Sequence, residues 1–149
     1  MTKVTPYLCC KDAPAALDFY KKAFGAEETM RMVDDGGRVG HAEIKIGDAV
    51  VMLSDEWPEG GVFSPQTLGG TPLSLHLQVA NVDELFTQAV AAGATEERPV
   101  VDQPYGERSG VLKDPFGHRW FIGTPIEGFG TEDLEDKMGA EGYTVTTPS

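Results

Sequence analysis

Positive charge is scarce in this chain: 12 Lys and Arg stand against 24 Asp and Glu, for a formal net charge of −12. A phosphate backbone calls for a basic stripe, so nucleic acid is excluded as a partner; the acidic excess suits solubility or attraction of a cationic ligand. Cysteine is scarcer still, limited to the adjacent Cys9 and Cys10. Neighbouring strand residues point to opposite faces, so these two form no internal bridge, which fits a reducing compartment. No apolar run approaches the ~20 residues of a membrane span. The opening Met1–Thr5 lacks a leader pattern, so no membrane association and a cytoplasmic location are expected. Ser-His-Asp order, phosphate loops and Cys-x-x-Cys pairs are absent as well.

What the sequence does contain is a repeat. Lys11–Glu28 has a weaker echo in Ala80–Glu97, each copy with a strand before it, a glycine at the helix end and an acidic pair after it. In the first copy, Val4–Cys10 alternates as a strand. Asp12 suits an N-cap, Pro14 the first turn, Leu17, Tyr20 and Phe24 an apolar helix face, and Gly25 the left-handed stop. Strands are predicted over Glu28–Val33, Val39–Ile46 and Ala49–Leu53, the last two joined by a two-residue turn at Gly47-Asp48. The second copy predicts a strand over Leu73–Val79, a helix over Val82–Ala92, a strand over Glu97–Val101 and a hairpin with arms Gly110–Lys113 and His118–Ile122. The pattern is α+β: two βαβββ units, 1–56 and 73–125, in one domain spanning 1–125, with a Gly/Pro-rich linker at 57–72. Residues 126–149 form an extension with a short helix over Thr131–Met138 capped by Thr131, then a mobile tail from Gly139.

Alternation sorts the strand faces. Leu73, Leu75, Leu77 and Val79 share one face and Ser74, His76 and Gln78 the other; Ala42, Ile44 and Ile46 oppose His41, Glu43 and Lys45. The apolar faces are seats for the helices. The opposite faces mix Tyr7, Met52 and Phe121 with His41, Glu43, His76 and Arg119, and the tight turn sets Glu43 opposite Met52. Apolar surface with converging polar groups describes a small-molecule pocket.

Leu17–Gly25 and Leu112–Phe121, with its Asp-Pro-Phe-Gly turn at 114–117, carry a resemblance to the vicinal oxygen chelate superfamily of glyoxalase I, extradiol dioxygenases, fosfomycin-resistance enzymes and bleomycin-resistance proteins. His41–Glu43, Gly47–Ser54 and Ser74–Val79 resemble one glyoxalase/bleomycin-resistance-like branch. The resemblance implies cup-shaped mixed sheets with helices outside, and a homodimer. It also equates the usual metal-ligand positions with Thr5, Met52, Ser74 and Phe121, a set that cannot chelate a divalent ion. No metal or other cofactor is therefore expected, nor glyoxalase or dioxygenase activity by the standard mechanism.

The leading expectation is metal-independent binding of a small aromatic or cationic compound, with Tyr7, His41, Glu43, Met52, Trp57, His76, Arg108, Arg119 and Phe121 as ligand contacts. The alternative is a lyase-, isomerase- or dioxygenase-like enzyme using a metal relocated to His41, Glu43 and His76, or acid–base chemistry by His41 and Glu43. Trp57 and Phe63 serve either stacking or dimer packing. Arg108 and Arg119 pair either with a ligand anion or internally, and Cys9 is either a thiolate nucleophile or an inert thiol.

Overall fold

The computed structural model describes residues 1–148. Strand β1 (Tyr7–Cys10) leads into helix α1 (Ala13–Phe24), followed by β2 (Glu27–Val33), β3 (Val39–Ile46) and β4 (Ala49–Asp55). A 3₁₀ turn (Pro58–Gly60) and the single-turn α2 (Pro65–Leu68) occupy the linker. The second unit holds β5 (Ser74–Gln78), α3 (Val82–Ala92), β6 (Thr95–Asp102), β7 (Glu107–Lys113) and β8 (Arg119–Pro125), and α4 (Thr131–Ala140) closes the chain. The strands form two four-stranded mixed sheets, ordered β1-β4-β3-β2 and β5-β8-β7-β6. β1–β4 and β5–β8 are the parallel pairs.

Local chemistry sets these bounds. Asp12 caps α1 through the Ala15 N–H, and Gly25 ends it at φ 67°, a conformation that favours glycine. β1 starts later than alternation alone predicts because Pro6 has no N–H for the ladder, although its carbonyl still accepts from Met52. At the other end the expected Thr131 cap is corrected: the N-cap is Gly130, whose N–H donates to Asp133 at 2.8 Å, and Thr131 is already helical. α4 also runs two residues past Met138, into the segment expected to be a mobile tail, whose last residue, Ser149, lies outside the described residues.

The core lies between the helices and the apolar sheet faces, with Leu8, Leu17, Ile44, Leu53, Leu112 and Ile122 almost fully buried. The two units dock through this layer. Tyr20 of α1 packs on Trp120 of β8, with ring centroids 5.7 Å apart, and donates to Asp114 at 2.5 Å. The Asp114 carboxylate also accepts from Trp120 Nε1 and from the backbone N–H groups of Phe116 and His118. Burial, then the neighbouring Asp114 charge, pushes the Tyr20 phenol far above its ordinary range, so it remains a donor. His118 Nε2 bonds the Cys9 carbonyl at 2.8 Å, and Gln88 of α3 donates to the carbonyls of Lys22 and Ala23 at the end of α1. Helix packing thus joins the units, and the polar faces of both sheets are left uncovered by helices.

Candidate functional site

On the first sheet, strand alternation brings Tyr7, His41, Glu43 and Met52 onto the helix-free face; Glu43 stands opposite Met52 as the hairpin turn requires, and Met52 pairs with Tyr7. The Tyr7 hydroxyl lies 2.6 Å from His41 Nδ1, and His41 Nε2 lies 2.8 Å from the Glu43 carboxylate. An ionised carboxylate only accepts, so in the neutral imidazole Nε2 carries the hydrogen and Nδ1 accepts from Tyr7. The three side chains form one directed chain, Tyr7 to His41 to Glu43. Desolvation, then the Glu43 charge, raises the Tyr7 phenol above its ordinary range.

Beside this chain opens a cleft of about 570 Å³, walled by Tyr7, Leu8, Cys9, Val39, Trp57 and Val62. Ser54 adds a hydroxyl, and Asp34 and Arg38 of the β2–β3 turn stand at its rim. Arg38 is held between Asp34 and Glu59, at 3.5 and 3.6 Å. Asp55, also in the wall, accepts the backbone N–H groups of Ala13 and Val39 at 2.7 Å each, tying the starts of α1 and β3 to the end of β4. Trp57 is half-exposed, set by its backbone bridge to Val62. Burial first, then the charges of Glu56 and Asp55, pushes the Cys9 thiol up to about 11, which makes it the inert alternative.

The second sheet carries a separate arrangement. His76 on β5 occupies the place in its unit that Tyr7 holds in the first, each five residues before its helix cap. His76 Nε2 lies 2.7 Å from the Glu107 carboxylate. That carboxylate reaches His76 over Gly123 of the intervening β8, where an added Cβ would stand 2.3 Å from Glu107. Glu107 and Tyr105 line a shallow hollow of about 380 Å³ with His76 and Phe121. Arg119 shares this sheet face but pairs with Glu97 at 2.9 Å.

Three expectations change. Arg108 stands apart from the other candidates and takes its internal alternative: it lies on the helix side of β7, its guanidinium bound to Asp83 in the first turn of α3 and to Asp102. His41, Glu43 and His76 do not converge, since each His takes its own carboxylate in its own sheet, and among the described residues no three His, Cys, Asp or Glu side chains are grouped to hold a metal ion. Of Tyr7, His41, Glu43 and His76, only Tyr7 lines the 570 Å³ cleft. Sequence reasoning missed Glu107, because β7 begins three residues earlier than predicted, although Glu107, Ser109 and Val111 alternate on the open face. It also missed Asp34 and Arg38, which reach the cleft only because the β2–β3 turn folds beside the end of β4.

The positions Thr5, Met52, Ser74 and Phe121 offer a thioether, a phenyl ring and two neutral hydroxyls, which do not fit a divalent metal. Comparisons agree with the architecture. An uncharacterized protein of Mycobacterium bovis is 40% identical over 142 residues, covering 93% of each chain. TioX from Micromonospora sp. ML1 superposes with a TM-score of 0.66 at 26% identity, covering 87% of this chain and all of that one. FosX, the genomically encoded fosfomycin resistance protein of Listeria monocytogenes, shares the fold with a TM-score of 0.67 at 17% identity, covering 89% and 97%. No helix among the described residues is long and apolar enough to cross a membrane. Residues 3–122 match the Glyoxalase/Bleomycin resistance protein/Dioxygenase superfamily, and the chain belongs to that family.

Proposed function

We propose that this protein binds a small aromatic or cationic molecule without a metal, and that the cleft beneath Trp57 is the site. The observation that carries the reading is the cleft itself: about 570 Å³, walled by Trp57, Tyr7, Leu8, Val39 and Val62, with a few hydroxyls and a charged rim. That size and balance suit a drug-sized ligand held mainly by apolar contact and oriented by few polar groups. The indole of Trp57, half-exposed, loses that exposure on stacking with a planar guest. Asp34 at the rim and the net charge of −12 favour a cationic guest over an anionic one.

The working form we propose is a homodimer. Both sheets have a helix-free face, and Trp57, Phe63, Leu68 and Leu73 expose apolar surface along the linker and its exit. Large apolar side chains left exposed in this way are buried when a second copy covers them.

A thermal-shift screen of chelator-treated protein against neutral, cationic and anionic aromatic compounds tests the reading. A ligand at a hundred times its Kd stabilises by about 2.7 kcal/mol, which raises the midpoint by several degrees. Such shifts should appear with neutral or cationic compounds in the presence of chelator and disappear in Trp57→Ala. Shifts that require an added divalent ion, or that survive Trp57→Ala unchanged, contradict it.

A further inference from the structure

The hydrogen-bonded chain beside the cleft is more than binding requires. We propose that Tyr7, His41 and Glu43 form a proton relay that makes the Tyr7 oxygen a general base and acid toward an enolisable 1,3-dicarbonyl compound seated in the cleft. The inference rests on the cleft being the ligand site. Its geometry is the argument: 2.6 Å from Tyr7 to His41 and 2.8 Å from His41 to Glu43, with the Tyr7 and His41 rings edge-on at 71°. Both links are within the reach that proton transfer needs. Ser54 on the intervening β4, paired with Cys9 and two residues beyond the Met52 that pairs with Tyr7, lines the same cleft with its hydroxyl donated to the Asp55 carbonyl at 3.0 Å.

The direction of the chain fixes what it does. Glu43 holds the His41 Nε2 hydrogen, so Nδ1 is free to take the Tyr7 proton, and the Tyr7 oxygen is then free to take one from a ligand. In the step, a C–H proton moves to the Tyr7 oxygen while the phenol's own proton moves to His41 Nδ1. The C–H electron pair becomes an enolate, and the imidazolium formed stands against the Glu43 carboxylate. Reversal returns a proton to a carbonyl oxygen, giving the enol, or to carbon, giving exchange with solvent. Protons balance and nothing is oxidised or reduced. The substrate class follows from the charges present. Asp34 and Asp55 in the cleft lining, with Glu43 bonded to His41 behind Tyr7, oppose a localised anion, and Arg38 is already held by Asp34 and Glu59. The carbanion must therefore carry its own delocalisation, as it does between two carbonyl groups. The second sheet has no such chain, since His76 ends in one carboxylate and the Tyr105 hydroxyl is taken by Ser109 at 3.2 Å.

Benzoylacetone, a neutral planar 1,3-diketone, is the probe. Its enol–keto interconversion is followed by absorbance in chelator, and its binding by quenching of Trp57 fluorescence, with Trp57→Phe as the reference. Wild-type protein should accelerate interconversion above buffer, and Tyr7→Phe should lower kcat by about a hundredfold, the usual contribution of one positioned acid–base group, with Kd changed less than about threefold. Glu43 is a positioning residue, so Glu43→Gln should lower kcat by about tenfold and leave KM near its wild-type value. Binding without acceleration, or acceleration that survives Tyr7→Phe, overturns the relay and leaves the cleft standing. Loss of binding in the wild type defeats the cleft reading and the relay with it.

Discussion

Cys9 lines the cleft as a protonated thiol. Its thiol faces the cleft, but burial and the carboxylates of Glu56 and Asp55 hold it protonated up to about 11. The thiolate is the alkylated species, and its fraction rises tenfold per pH step below the pKa. At pH 8, iodoacetamide should modify Cys9 about a hundredfold more slowly than a free cysteine, with the rate climbing as pH approaches 11; mass spectrometry of timed aliquots checks this. Rapid labelling at neutral pH would mean that Cys9 meets a base or cation. Asp55 and Asp114 illustrate another residue-scale rule: each carboxylate gathers several N–H or O–H donors and thereby sets the entry of a strand or helix. Arg108, expected to pair either with a ligand anion or internally, takes the internal course: it lies over α3, where Asp83 holds its guanidinium.

Among the elements, the α1–α3 layer and the aromatic contacts of Tyr20, Phe24 and Trp120 fix how the units sit together. Trp120 is 2% exposed, so Trp120→Ala removes a large buried side chain and one donor to Asp114. It should cost about 3–5 kcal/mol in urea unfolding. A cost below about 1 kcal/mol would mean that the units do not rely on this contact. Periodicity and turn residues made most elements legible: α3 and β3 have the bounds that the pattern predicts, and Asp12 and Gly25 close α1 as read. Alternation alone likewise puts Tyr7, His41 and Glu43 on the open face. What escaped was whatever depends on tertiary approach. The hydrogen bond from Tyr7 to His41 spans 34 residues of sequence, and the one from His76 to Glu107 spans 31. The Gly/Pro-rich linker contains a 3₁₀ turn and α2, the latter held where Pro65 packs against Gly117 and Gln66 donates to the Pro115 carbonyl.

For the whole molecule, duplication leaves two helix-free sheet faces and four strand edges, at β1, β2, β5 and β6. Edges and faces of this kind are ordinarily covered. Light scattering at micromolar concentration should give twice the 16.0 kDa of one chain, and charged substitutions at Leu68 and Leu73 should return it to one; a monomer in the wild type would refute the dimer. The most direct test of the central claim is amide chemical-shift mapping of the chelated protein titrated with benzoylacetone. Saturable perturbations should concentrate at Leu8, Cys9, Gly40, Ser54 and Val62, the backbone around the cleft beneath Trp57. Perturbations confined to the His76–Glu107 hollow, or appearing only after a divalent metal is added, would contradict it.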